Sequence, residues 1–81
     1  MITAAQCRAA RGLLEWSQVE LARQARVGIV TVHQLEAGIS QPRNATLEVI
    51  RRAFESAGVV FIDENGGGPG VRLRKRQQKK D

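Results

Sequence analysis

The chain is poor in the residues that carry most side-chain chemistry. It has one cysteine, one histidine, one tryptophan and no tyrosine. A single thiol, Cys7, excludes an intrachain disulfide and suits a reducing cytoplasm. Neither Cys7 nor His33 has a partner at zinc-ligand spacing, so no metal and no cofactor is expected. No Ser/His/Asp set or pair of carboxylates stands out, and a catalysed reaction has no visible home. The expectation is a non-enzyme. The glycine-rich stretch 66–70 lacks the Lys-Ser/Thr ending of a phosphate-binding loop and reads as a turn. No run comes near the ~20 apolar residues of a membrane span. Residues 1–12 carry Gln6, Arg8 and Arg11, unlike a secretory signal. A cytoplasmic protein without a membrane partner is expected.

At 81 residues the chain is one domain with a modest core, to which dimerisation would add buried area. Thirteen Lys/Arg against eight Asp/Glu give a net charge of +5. A basic balance favours an anionic partner, nucleic acid first. The excess is confined to the end of the chain. Arg72, Arg74, Lys75, Arg76, Lys79 and Lys80 face only Asp81, while residues 1–70 are neutral. A binding face in the body of the protein has to come from the placement of charges.

Thr3-Ala4-Ala5-Gln6 is a capping box, and Cys7, Ala10, Leu13 and Leu14 follow at helical spacing, which predicts a first helix over Ala4–Leu14. Ser17-Gln18-Val19-Glu20 is a second box opening a helix over residues 17–25, with Leu21, Ala22 and Ala25 inward. Arg26-Val27-Gly28 breaks the pattern. A short third helix over residues 29–35 turns Val32 and Leu35 inward and leaves Ile29 and Val30 outward, and Gly38 stops it. Asn44 is the expected N-cap of a fourth helix reaching about residue 57, with Leu47, Ile50, Ala53 and Phe54 on one face. Val59–Ile62 is a short β-type apolar run and residues 71–74 alternate at strand spacing; with the Gly-rich turn between them they predict a β-hairpin. Residues 75–81 have no apolar side chain and are expected to lack structure on their own. The divisions are therefore 1–58, 59–74 and 75–81: a helical domain, a hairpin offered as a dimerisation element, and a basic tail that serves as a DNA arm or a solubilising end.

Two short helices joined by a tight turn have the spacing of a helix-turn-helix. The stretch RGLLEWSQVELARQARVGIVTVHQLEAGISQP, residues 11–42, resembles the lambda-repressor-like (XRE) family. It matches in Arg11, Ser17-Gln18, Glu20, Leu21-Ala22, Val27, Val32, Leu35-Glu36, Gly38 and Pro42. The resemblance implies a mainly α bundle of four short helices and a transcriptional regulator binding double-stranded DNA as a homodimer. It implies base contacts from Ile29, Val30 and Gln34, and backbone contacts from Gln18, Gly28, Thr31, His33 and Arg43. It also implies an ion pair between Arg11 and Glu36, and a core position for Trp16.

Two departures from the family pattern bear on mechanism. Arg26 stands where glycine is usual and is expected to adopt a left-handed conformation at a cost of about 1 kcal/mol. Gly28 stands where serine or threonine is usual, and brings no capping oxygen to the third helix. Two further readings stand beside the regulator: an antitoxin repressing its own operon, and a protein-interaction module whose hairpin and tail grip a toxin or RNA polymerase.

Overall fold

In the computed structural model, residues 1–74 are described. The expectations for residues 75–81, the basic tail among them, lie outside the described residues. Helix α1 spans Ala4–Leu14, α2 Gln18–Ala25, α3 Ile29–Ala37 and α4 Asn44–Ser56, followed by strands β1 (Val59–Ile62) and β2 (Gly70–Leu73). The fold is mainly α: four short helices and a C-terminal antiparallel hairpin.

The helix starts follow their caps. At α1 both halves of the capping box form: Thr3 Oγ1 accepts from Gln6 N–H, and Gln6 Oε1 accepts from Thr3 N–H, each at 3.0 Å. At α2 only half forms. Ser17 Oγ accepts from Glu20 N–H, but the Glu20 carboxylate turns to Arg23 and Gln24. The α4 cap is Arg43 rather than Asn44. Arg43 is extended, with φ −62° and ψ 155°, and its carbonyl takes the N–H groups of Thr46 and Leu47. Asn44 is already helical, so its side chain has no capping role.

Helices α1, α2 and α3 end alike. Each is closed by a left-handed residue: Glu15 (φ 58°), Arg26 (φ 59°) and Gly38 (φ 72°). The next N–H then returns to a carbonyl five residues back: Trp16 to Arg11, Val27 to Ala22, Ile39 to Gln34. This closure satisfies the otherwise orphaned carbonyls of a helix end. Only the third uses glycine, so two termini hold a side chain where L-residues are strained.

Phe54, Leu21, Ile50, Val32, Val59 and Cys7 are the largest fully buried side chains. Leu14 packs against this core, whereas Leu13, which shares its helical spacing, is 40% exposed. Trp16 stacks on Phe54 at 5.7 Å between centroids, and Phe54 meets Phe61 at 5.9 Å.

In the hairpin, Val59 pairs with Leu73 and Phe61 with Val71. Alternation puts these four on one face, where Val59 and Phe61 are buried and Val71 and Leu73 half-buried. Their cover is the chain's own α1 and α4, with the Arg51 guanidinium over the Phe61 ring at 5.1 Å. The buried carboxamide of Gln6 adds a clamp. Its Nε2 donates to Ile62 O (3.2 Å) and Gly70 O (3.0 Å), the pair at the turn end of the ladder. The apolar face from which a hairpin-mediated dimer was expected is thus filled within one subunit. β2 runs over Gly70–Leu73 rather than 71–74; Arg74 follows it and donates its N–H to Gly58 O.

Candidate nucleic-acid interface

The turn Arg26-Val27-Gly28 sets α3 against α2. Val27 packs against the core and anchors the turn. Gly28 is the N-cap of α3 and supplies no side-chain cap, and Arg43 supplies none to α4. The cap carbonyls of Gly28 and Arg43 take the N–H groups of Thr31 and Thr46, so the amides left to donate outward are those ahead of them, Ile29 and Val30 in α3 and Asn44 and Ala45 in α4.

Helix α3 divides its residues sharply. Val32, Leu35 and Glu36 are buried. Val30 (60% exposed), His33 and Gln34 face out. Thr31 is half-buried. Ile29, expected outward, is half-buried and packs against the core. It lies three residues before Val32 and seven before Glu36, on the stripe that faces inward. Thr31, Gln34, Ser40, Pro42, Arg43 and Thr46 line a cleft of about 280 Å³ between α3, the following loop and the start of α4. Arg43 is exposed there, and Ser40 Oγ lies 3.4 Å from Gln34 Oε1.

Beneath α3, Glu36 ties three elements together. Its side chain is 3% exposed. Oε1 accepts from Arg11 Nη2 (2.8 Å) and Gln18 Nε2 (2.9 Å), and Oε2 from Arg11 Nε (2.8 Å) and Cys7 Sγ (3.1 Å). Its main-chain carbonyl accepts from Arg8 Nη1. The two-pronged Arg11 contact is the strong geometry for a carboxylate. Burial alone would push the Glu36 carboxyl up. The hydrogen bonds from Arg11, Gln18 and Cys7, with the Arg11 charge, outweigh it and hold the group below its ordinary value. For Cys7 burial comes first, and the Glu36 hydrogen bond and charge add to it. All three push the thiol up, so it stays protonated and donates.

Gln18, singled out as a backbone contact, thus has one hydrogen bond inside the protein. It lines an open groove of about 440 Å³ with Arg8, Arg11, His33, Glu36, Ala37 and Ile39. The structure brings Thr31, Gln34 and Arg43 to one cleft and Gln18 and His33 to the other. The roles of Gln6 as hairpin clamp, Arg8 as partner of the α3 end and Cys7 as donor to Glu36 were not read from the sequence. Gln6 alone carried a signal: a capping box uses its acceptor and leaves an NH₂ group to be satisfied.

Among the described residues no three His, Cys, Asp or Glu side chains are grouped to hold a metal. No helix there is long and apolar enough to cross a membrane. A search of curated proteins finds no match. A helix-turn-helix family model matches residues 8–57, more than half of the chain, from within α1 to just past the end of α4. That match, the four-helix architecture and the α2–turn–α3 unit support a general DNA-binding regulatory role, and the chain belongs to the lambda-repressor-like (XRE) family of helix-turn-helix regulators.

Proposed function

We propose that the protein is a sequence-specific regulator of transcription that binds duplex DNA as a homodimer, with α3 in the major groove. The observation that carries this reading is the division of α3. Val32, Leu35 and Glu36 fix the helix from below, and Val30, His33 and Gln34 stand outward. A recognition helix needs both properties: rigid placement, and side chains free to reach base edges. Gln34 offers a bidentate contact to adenine, and Val30, with the outer edge of Ile29, offers apolar contact to thymine methyls. Gln18, Thr31, His33, Arg43 and the amides following Gly28 are assigned to phosphates. Backbone amides at a helix start suit anions. The chain then works where the duplex is, in the cytoplasm on the nucleoid.

One helix-turn-helix reads few base pairs, so two copies on a twofold site are expected, with half-sites about 34–36 Å apart. Selection from random duplexes, followed by sequencing, tests this. The expected result is an inverted repeat at that spacing. Gln34→Ala should cost about 1–3 kcal/mol and relax one position per half-site. Gln18→Ala should weaken all sequences alike, because phosphates carry no direct base code. Failure to enrich any duplex would sink the reading and favour the adaptor for a toxin or RNA polymerase. An unchanged Gln34→Ala profile would remove that residue from the reading set.

A further inference from the structure

Glu36 carries more bonds than an ion pair needs. An ionised carboxylate offers about four lone-pair sites and no donor. All four are filled here, two by Arg11, one by Cys7 and one by Gln18. The Gln18 bond differs from the rest, because Gln18 is a half-buried residue on the rim of a groove with Arg8, Arg11 and His33. A glutamine amide has two faces of opposite polarity, and a free one rotates between them. Facing a carboxylate it has one choice: the NH₂ group must point to Glu36. One N–H is then consumed at 2.9 Å. The second N–H, fixed in direction by the planar amide, is left for the groove. A phosphate oxygen is an acceptor and needs that orientation. The flipped amide would present its own oxygen and repel the phosphate.

We infer that Glu36 is a positioning residue for DNA binding, which holds the Gln18 amide donor-outward for a phosphate. This rests on the DNA-binding reading above. It goes beyond the structural pair, since Arg11 could satisfy a carboxylate without Gln18. Glu36→Gln keeps the size of the side chain but offers Gln18 either a donor or an acceptor, so the orientation is no longer dictated.

The test uses the full chain and its selected duplex, with the Glu36→Gln, Gln18→Ala and double variants. Folding is monitored by circular dichroism. A positioning role predicts that Glu36→Gln lowers affinity roughly tenfold in the parent, about one charge-assisted hydrogen bond. In the Gln18→Ala background the same change should lower affinity less than about twofold, because its target is gone. Neutral methylphosphonates placed one at a time along the half-site give the second readout. The same single phosphate should lose its importance in both the Glu36→Gln and the Gln18→Ala protein. Should Glu36→Gln not fold, Glu36→Asp keeps the charge but draws it back from Gln18 and Arg11 alike, which share Oε1; the same two readouts apply, the Gln18→Ala background showing what part of the loss passes through Arg11. Equal losses in both backgrounds, or a weakening spread over every phosphate, would show that Glu36 acts through the fold and would overturn the inference. A parent chain that selects no duplex would overturn the function as well. One that binds while Gln18→Ala changes nothing would overturn only the positioning role.

Discussion

Removing Arg11 should be the most damaging single change to a polar residue in this domain. Its guanidinium places Nε and Nη2 at 2.8 Å from the two Glu36 oxygens and Nη1 at 3.0 Å from Trp16 O. In Arg11→Ala, Glu36 keeps only Gln18 and Cys7 as side-chain donors, neither of them charged. A carboxylate that is 3% exposed then lacks its counter-ion. Breaking a buried pair by removing one partner costs roughly 3–5 kcal/mol. A small domain has a total stability near the low end of about 5–15 kcal/mol, so this variant should be only marginally folded.

Urea titration of Arg11→Ala, Glu36→Ala and the double variant isolates the pair. The double variant removes the orphaned charge together with its partner, so it should lose less than the sum of the singles, with a coupling of about 2–3 kcal/mol. pH gives an independent reading. The Glu36 carboxyl is held below its ordinary 4.5 in the folded protein. Its contribution is therefore present above about 4.5 and lost as pH falls through the lowered folded value. The parent should lose stability over that acid range, and Glu36→Ala should lose less. A coupling near zero, or the same acid dependence in both proteins, would refute the reasoning.

Two further changes probe the scaffold. Arg26→Gly relieves a left-handed residue whose penalty is roughly 1–2 kcal/mol, less the entropy that glycine adds to the unfolded chain. A net gain of about 0.5–1 kcal/mol in thermal unfolding is expected, and a loss would mean that the Arg26 side chain has a role the backbone does not reveal. Gln6→Leu keeps the volume but strips Thr3 N–H, Ile62 O and Gly70 O of their partner. A cost of about 2–3 kcal/mol is expected, with faster amide exchange across β1 and β2. Unchanged exchange there would show that the hairpin is held by its apolar face alone.

Much of the fold is legible in the sequence because local chemistry and tertiary packing agree. Helix α1 begins and ends where its capping box and periodicity put it. Glycine stops α3 at residue 38, although the helix extends to Ala37, two residues beyond the last inward leucine. Legibility fails where a residue has two functions or where two rules compete. Gln6 is fully explained locally by its box, and nothing local announces partners 56 and 64 residues away. Ile29 sits in the first turn of α3, where base contact and core packing both claim it, and the stripe shared with Val32 and Glu36 wins. Asn44 is a better capping residue than Arg43 by composition, but the extended backbone after Pro42 places the cap one residue earlier. In the candidate site, the Arg11–Glu36 distance, the Gln18 hydrogen bond and the Cys7 thiol join residues from three helices. Single-sequence periodicity carries no information on such contacts.

The hairpin shows how a missing long-range contact alters a functional argument. From the sequence, Val59, Phe61, Val71 and Leu73 need a cover, and a second copy of the chain is one source. In the structure that cover is α1 and α4, and the Gln6 clamp makes the hairpin part of the domain rather than an appendage. By spanning α1 and α4, it braces the two helices that flank the α2–α3 unit. An isolated two-stranded sheet is marginal in water, so brace and bundle stabilise each other. The proposed dimer then rests on the short reach of one recognition helix, and a contact between two copies would have to come from side chains that the fold leaves out. Among the most exposed apolar residues, Val30 (60%) belongs to the proposed DNA face. Ile39 is 71% exposed, although Trp16 and Val27, at the equivalent place after their own helices, are packed against the core. An apolar side chain left out where its two counterparts are packed in makes the loop after α3, rather than the strands, the stronger candidate for a contact between subunits.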